Sequence, residues 1–198
     1  MAMKNDAYHY GWVSRALHWI VFAVIATMLT LGLYFSELES GDRKTLFVTL
    51  HASFGTLLMT LMVVRLIWRW SNPRPENPPD APAWTGPAAT WVHRGLYLAI
   101  FVQMTIGVFI QATVDRPQPF FGLFELYVPA PYSRDLHSQL EDFHKLGWKI
   151  IAALVVIHVL AALYHHFVRK DFVLTRMITG RPDRGEVQER AVAESRVR

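Results

Sequence analysis

Cysteine is missing from the 198-residue sequence, and charged residues make up only 18% of it. Without thiolates, the chain cannot form disulfides, cysteine-ligated zinc sites, iron–sulfur clusters or thioether-linked haem. A soluble domain usually carries about 25% charged residues, whereas this chain is 52% hydrophobic. Internal repeats, glycine-rich nucleotide-binding patterns and nucleophile elbows are also missing. The composition is therefore typical of a membrane protein.

Four apolar runs are long enough to cross a bilayer, which takes roughly 20 residues. They cover about residues 10–35, 45–70, 91–114 and 140–168. Of the 20 Lys and Arg residues, 14 lie in or near the two chain ends and the connection between the second and third runs, and 6 lie in or near the other two connections. By the positive-inside rule, both termini are predicted to be cytoplasmic. The predicted fold class is all-α, an integral membrane four-helix bundle, and this topology explains the basic residues without a nucleic-acid partner.

The connections differ in character. The second, "SNPRPENPPDAPAWTGPAAT", is rich in proline and is predicted to be extended or turn-laden rather than helical. The third, from residue 115 to about 136, is aromatic and is predicted to be a flap lying against the outer membrane face. Residues 1–178 are predicted to form one transmembrane domain, and residues 179–198 a polar, disordered tail.

Nine histidines are present, several of them inside the apolar runs, where ionisable residues are costly enough to indicate function. In the fourth run, His144, His158 and His165 are separated by 14 and 7 residues. At about 100° per residue, these spacings place all three on one helix face. His144 and His158 lie about 21 Å apart along the axis, so they cannot share one metal ion but can serve two separate sites.

Two of these histidines have partners at matching depth. His51 lies near the outer end of the second run, as His144 does in the fourth, while His18 and His158 lie about 12 and 15 Å from the cytoplasmic side. Two histidine pairs without carboxylates suit two stacked bis-histidine haems better than zinc or di-iron. The candidate partners for haem propionates, with interfacial snorkelling as the alternative, are Arg15, Arg65, His93 and Arg94.

Four segments, in order, resemble the prokaryotic cytochrome b561 family: "YGWVSRALHW", "LHASFGTLLMTLMVVRLIWR", "HRGLYLAIFVQMTIG" and "EDFHKLGWKIIAALVVIHVLAALYHHF". The resemblance runs from about residue 10 to 177 and includes the proline-rich connection. It implies a four-helix protein of the bacterial inner membrane with two b-type haems. By position, His18 and His158 match the ligands of the inner haem, and His51 and His144 match those of the outer haem.

The resemblance further implies an oxidoreductase that oxidises superoxide on the periplasmic side and passes electrons through both haems to ubiquinone. His165 falls where the family has a histidine beside the proposed quinone site, and an imidazole there is suited to relay protons. His166 points about 100° away and is predicted to meet water or headgroups. Membrane lipid, ubiquinone and superoxide are the expected partners, and no obligatory protein partner is expected.

Two other functions stay open. The chain could be the cytochrome b subunit of a hydrogenase- or dehydrogenase-type complex that takes electrons from a partner protein. It could instead be a metal-ion transporter lined by histidines, although the paired depths and the lack of acidic residues inside the membrane count against this. The outer connections hold eight acidic and six basic residues, which does not favour an anionic substrate such as superoxide.

Overall fold

A computed structural model describes residues 2–78 and 81–180 of the chain. Four of its helices are long and apolar enough to cross a membrane, which confirms the prediction of a mostly helical fold with four long apolar helices and is compatible with a membrane bundle. The part of the predicted tail from residue 181 onward lies outside the described residues. The elements in chain order are α1 (Trp12–Ser36), α2 (Asp42–Trp70), α3 (Thr85–Ala112), β1 (Gln118–Phe120), β2 (Phe124–Leu126), α4 (Arg134–Tyr164), a π-helical turn (His165–Arg169) and α5 (Val173–Ile178).

Two long helices begin earlier than the apolar runs predict. Helix α3 starts at Thr85, so the prediction of non-helical structure is wrong for residues 85–90. Pro87 is tolerated because it lies in the first turn, where a backbone N–H has no intrahelical partner. Helix α4 starts at Arg134 because the Ser133 side chain accepts a hydrogen bond from the backbone N–H of Leu136 at 3.2 Å. Capping, rather than hydropathy, sets this start.

The third connection folds into a β-hairpin that docks on α2. Strands β1 and β2 pair antiparallel, which the all-α prediction did not include. The buried Gln118 side chain donates from Nε2 to the carbonyl of Ala52 at 2.8 Å and to the hydroxyl of Thr56 at 3.1 Å. The backbone N–H of Phe121 donates to Ser53 Oγ at 3.0 Å. The segment is therefore anchored to the helices, and does not only lie against the membrane as the flap prediction held.

Each long helix packs on the long helix that follows it in the chain, but in the described part of the chain α4 does not close the bundle by packing on α1. Helix α1 packs on α2, α2 on α3, and α3 on α4, as expected for sequential antiparallel helices. Within the described residues, α4 makes no comparable packing with α1 or α2. The backbone of α4 therefore lies farther from α1 and α2 than from α3, and the space between α4 and the α1–α2 pair, which side chains span, is here called the cleft. The apolar core lies beside it and contains Val21, Val24, Met28, Leu58, Met62, Ile100, Met104 and Ile151.

Candidate functional site

Two histidine pairs reach across the cleft between α4 and the α1–α2 pair. His18 of α1 and His158 of α4 lie with their ring centroids 6.0 Å apart. His51 of α2 and His144 of α4 lie with their ring centroids 6.1 Å apart. The structure therefore brings together the same two pairs that the depth of each residue in the sequence predicts.

The spacing within each pair suits a metal ion bound between the two rings. A metal–imidazole bond of about 2.0 Å on each side gives a distance of roughly 6.3 Å between ring centroids. The observed 6.0 and 6.1 Å are close to this value. Among the described residues, no cluster of three or more His, Cys, Asp or Glu side chains could hold a metal ion. Each pair therefore supplies two ligands and suits a metal whose other ligands come from a cofactor.

His51 is held in the tautomer that metal binding needs. Its Nδ1 lies 3.2 Å from the backbone carbonyl of Met28, and a carbonyl can only accept, so Nδ1 carries the ring proton. The lone pair is then on Nε2, where it can bind a metal. His144, across the cleft, has a buried Nδ1 without a hydrogen-bond partner within the described part of the chain. A ring nitrogen buried in this way is costly unless some other group satisfies it.

Two glycines lie against His51 and His144, which are here called the outer pair after their predicted depth. A Cβ atom on Gly32 of α1 would be 3.5 Å from Cε1 of His51, and one on Gly107 of α3 would be 3.5 Å from Cε1 of His144. An alanine would only touch each ring, but a larger side chain would displace it. Small residues at these two positions thus leave room for the two imidazoles and for a flat group between them.

Arg65 and His93 lie beside His18 and His158, which are here called the inner pair after their predicted depth. Arg65 donates from Nη2 to Nδ1 of His18 at 3.0 Å and from Nε to the hydroxyl of Tyr97 at 3.1 Å. The ring centroid of His93 is 5.2 Å from that of His158, which is a contact distance and is shorter than a shared metal allows. The Nδ1 of His93 is buried and has no hydrogen-bond partner among the described residues. Both side chains therefore border the inner pair without replacing His18.

The two other basic residues predicted to contact a haem lie in different surroundings. Arg94 is exposed, and its guanidinium lies 5.5 Å from the centroid of the Trp91 ring. Arg15 donates from Nη1 to the carbonyl of Ile178 at 3.0 Å, which ties α1 to α5. It also lines a cavity of about 210 Å³ between the N-terminal segment and residues 179–180. The structure therefore places Arg15 against the chain that follows α4, and Arg94 on the exposed side of α3.

The cavity beside Arg15 contains a charge of each sign. Partial burial raises the pKa of Asp6, but hydrogen bonds from the backbone N–H groups of Tyr8 and His9 and from the His9 ring outweigh it. The pKa of Asp6 is therefore below its ordinary value, and its carboxylate stays ionised at neutral pH. A cavity that holds this carboxylate beside Arg15 is not a simple anion site.

His165 lies in the π-helical turn that ends α4. Its Nδ1 is 2.5 Å from the Asp171 carboxylate, and both side chains are largely buried. His166, the next residue, instead packs its ring against Phe167 at a centroid distance of 4.8 Å. The two adjacent histidines therefore have different surroundings, which agrees with the prediction that their side chains point about 100° apart around the helix.

The sequence gives little or no indication that several other residues belong to the site. The carbonyl of Met28 and the hydroxyl of Tyr97 belong to residues that read as ordinary apolar positions of a membrane helix. Asp171 follows the last apolar run and reads as part of a charged helix end. Gln103 of α3 is buried and donates from Nε2 to the carbonyl of His144 at 3.0 Å. A polar residue within an apolar run was the one available clue to Gln103.

The chain is similar to known cytochromes over most of its length. A family model described as prokaryotic cytochrome b561 matches residues 9–180. The chain is 35% identical over 186 residues to cytochrome b561 homolog 2 of Escherichia coli strain K12, which covers 90% of this chain and 95% of that protein.

Two more distant relatives have more specific names. The chain is 24% identical over 169 residues to the probable superoxide oxidase CybB of Yersinia pestis, covering 85% of this chain and 95% of that protein. It is 22% identical over 216 residues to a probable Ni/Fe-hydrogenase B-type cytochrome subunit of Rhizobium leguminosarum bv. viciae, covering 89% of each. With the family match over residues 9–180 and the four apolar helices, these similarities show that the chain belongs to the prokaryotic cytochrome b561 family of multi-pass membrane b-type cytochromes, which transfer electrons.

Proposed function

We propose that the chain binds two b-type haems, one between His18 and His158 and the other between His51 and His144. The observation that carries this proposal is that both pairs reach across the one cleft between α4 and the α1–α2 pair, with metal-binding ring spacing. When bound, the haems supply iron centres that gain and lose one electron at a time. A haem held by two histidines would have no free position for oxygen, so both sites would serve electron transfer.

Arg65 has a defined part in this proposal. It now donates to Nδ1 of His18, so that nitrogen accepts and Nε2 carries the ring proton. Metal ligation through Nε2 requires the opposite tautomer, with the proton on Nδ1. Arg65 then gives up this contact and can pair with a carboxylate such as a haem propionate. Tyr97, on its other side, keeps the guanidinium near the inner pair.

We further propose that the chain takes electrons from superoxide at the outer end and passes them to ubiquinone at the inner end of the bundle. This proposal places both termini in the cytoplasm of a bacterium and the bundle in its inner membrane, in accordance with the distribution of Lys and Arg. Two superoxide ions each lose one electron and become oxygen, and one ubiquinone takes up two electrons and two protons. The superoxide oxidase named among the relatives supports this direction of transfer.

Basic residues near the outer pair attract superoxide only weakly. Lys145, one residue after His144, forms ion pairs with Glu141 at 3.7 Å and Asp142 at 3.4 Å. Lys44 donates to the carbonyl of Leu38 at 2.9 Å. With these charges partly compensated, we expect the rate of reaction with superoxide to depend only weakly on ionic strength.

A stopped-flow experiment tests the proposal. The purified, oxidised protein is mixed with superoxide, and haem reduction is followed by visible absorption; a short-chain ubiquinone is then added, and reoxidation is followed. We expect rapid reduction and then reoxidation. A colourless protein would exclude both the haems and the reaction. A haem protein that superoxide reduces no faster than the uncatalysed background would exclude superoxide as the donor.

The alternative is a cytochrome subunit that takes electrons from a partner protein. The similarity to the hydrogenase cytochrome subunit, over 89% of each chain, is the observation in its favour. It predicts that a dehydrogenase or hydrogenase purifies with the chain in fixed stoichiometry and that superoxide does not reduce the haems. The proposal made above predicts an active protein without a stoichiometric partner.

A further inference from the structure

We infer that Asp171 is a positioning residue for His165, which holds the imidazole in the tautomer that passes protons to the quinone. This inference rests on the proposed function, because it deepens the role of His165 at the ubiquinone end. The sequence places Asp171 beyond the last apolar run, within a charged stretch, where a solvated carboxylate is the ordinary expectation. The structure instead places it against the histidine.

The end of α4 is folded so that Asp171 returns to His165. The helix widens into a π-helical turn over His165–Arg169, and Lys170 adopts a left-handed conformation with φ of 55°. The backbone N–H groups of Lys170 and Asp171 both donate to the carbonyl of His165, the latter at 3.1 Å. A residue in the left-handed conformation commonly closes a helix end. A left-handed conformation costs a residue such as Lys170 about 1 kcal/mol or more, so the surrounding contacts must favour this turn.

The Asp171 carboxylate is fully engaged and almost fully buried. One oxygen, Oδ2, is 2.5 Å from Nδ1 of His165, and the other, Oδ1, accepts from the backbone N–H of Val173 at 3.1 Å. The Asp171 side chain is 4% exposed and that of His165 is 15% exposed. A carboxylate held at both oxygens cannot turn away from the ring. The carboxylate therefore fixes both the position of the His165 ring and the ring nitrogen, Nδ1, that carries the proton.

The surrounding elements keep this pair in place. Trp19 of α1 donates from Nε1 to the carbonyl of Met177 at 3.0 Å, which attaches α5 to α1. Arg176 of α5 donates to the carbonyl of Glu76 in the second connection at 2.8 Å. The segment that carries Asp171 is thus attached to α1 and to the second connection, besides its local contacts with α4.

The chemistry of the pair suits repeated proton transfer. An ionised carboxylate can only accept, so the Nδ1 of His165 donates to Asp171 and the lone pair of the neutral ring lies on Nε2. Nε2 can then take up a proton from water and give it to a quinone oxygen. The carboxylate balances the positive charge that the ring carries between these two steps, as the aspartate of a catalytic triad does. Two such cycles supply the two protons that reduction of one quinone requires.

The decisive variant is Asp171→Asn, which keeps the size of the side chain. The oxygen of the substituted amide can still accept from the N–H of Val173, but the amide NH₂ then faces Nδ1 of His165 and donates to it. The ring is forced into the other tautomer, in which Nε2 keeps its proton and has no lone pair to accept another. Glu76→Gln is the matched control, because Glu76 is exposed and loses a carboxylate in the same way.

The kinetic experiment measures the two half-reactions separately in the haem-loaded protein. We expect Asp171→Asn to leave haem content and reduction by superoxide unchanged, and to slow reoxidation by ubiquinone by about 10²-fold, at the lower end of what general acid–base catalysis contributes. Glu76→Gln should behave as wild type. The double variant His165→Ala with Asp171→Asn should be no slower than His165→Ala alone, because the two residues act as a unit.

Each other outcome has a defined meaning. If ubiquinone does not reoxidise the wild-type protein, the proposed function fails, and this inference fails with it. If His165→Ala slows reoxidation but Asp171→Asn does not, the inference alone fails. If Asp171→Asn loses haem, or if the double variant is much slower than His165→Ala, Asp171 has a structural role and the inference is overturned.

A second measurement does not depend on activity. In protein labelled with ¹⁵N-histidine, the signals of His165 can be identified by their loss in His165→Ala. We expect the wild-type ring to be protonated on Nδ1 with a lone pair on Nε2, and Asp171→Asn to reverse this assignment. An unchanged tautomer in Asp171→Asn would overturn the inference.

Discussion

His51 shows how much one contact can decide at the scale of a residue. An imidazole within a membrane span can be a hydrogen-bonding side chain or a metal ligand, and its type alone does not distinguish the two. The carbonyl of Met28 accepts a hydrogen bond from Nδ1 of His51, so the lone pair of Nε2 is left for a metal. Gly32 leaves the space in which the ring can point into the cleft.

The inner ligand pair is tested by single alanine substitutions. His158→Ala or His18→Ala removes one of the two histidines that would hold the inner haem, so we expect the protein to lose that haem and to keep the outer one. The measurement is the haem content per chain from the visible spectrum, which should fall from two to one. His166→Ala, whose ring packs on Phe167, is the control and should keep both haems. Two haems in His158→Ala would contradict the assignment.

Gly32 allows a graded test of the outer pair. In Gly32→Val, the branched side chain must displace the His51 ring, because a Cβ already lies 3.5 Å from Cε1 of that ring. We expect the outer haem to be lost or weakly bound, with a cost of roughly 1–3 kcal/mol for overpacking. Gly32→Ala should only touch the ring and keep the haem. Equal haem content in both variants and wild type would show that the position of the ring is not critical.

At this scale the sequence was enough to pair the histidines, but not to place the side chains of the basic residues around them. Helical periodicity and depth were enough to pair His18 with His158 and His51 with His144, because every position along a straight helix follows from one rise and one rotation. The same reasoning could not separate Arg65, which contacts His18, from Arg94, which lies over Trp91. The direction of a long side chain depends on the helix beside it.

At the scale of the elements, the hairpin is the part that hydropathy could not predict. Strands β1 and β2 are three residues each, too short to show an alternating pattern. The side chain of Gln118 sets their position, because its amide N–H groups donate to the carbonyl of Ala52 and the hydroxyl of Thr56 in α2. In the same way, Ser133 decides where α4 begins.

Removal of the Gln118 side chain tests how the hairpin is held. Gln118→Ala deletes one buried and one partly buried hydrogen bond and leaves the carbonyl of Ala52 with one partner fewer, at a cost of about 1–3 kcal/mol. We expect a lower unfolding temperature and faster hydrogen exchange over residues 118–126. Glu125→Ala, on the exposed strand β2, should change neither. Exchange that is equally slow in Gln118→Ala and wild type would show that other contacts hold the hairpin.

At the scale of the whole molecule, the cleft beside α4 is the central feature. A four-helix bundle of this length usually closes by packing its fourth helix on the first. Here α4 packs closely on α3, and histidines of α1 and α2 reach across to it. The apolar face that a closed bundle would bury is therefore available to two flat, largely apolar groups.

The predicted orientation in the membrane can be tested cleanly because the chain has no cysteine. Single cysteines at exposed positions can be labelled with a membrane-impermeant maleimide in intact spheroplasts. We expect Ser40→Cys, between α1 and α2, to react from outside, and Asn77→Cys, between α2 and α3, to react only after the membrane is opened. The cysteine-free parent is the control for background labelling. The reverse pattern would invert the bundle and place His18 and His158 at the outer side.

The sequence by itself determined the four spans, the family and the two histidine pairs, because hydropathy and helical periodicity act along a single chain. Only the tertiary structure decided that a cleft separates α4 from α1 and α2, that the hairpin docks on α2, and that Asp171 turns back to His165. Each of these depends on contacts between residues that lie on different elements or across a helix end. Such contacts follow from how whole helices pack and close, and no local pattern of apolar and polar residues specifies them.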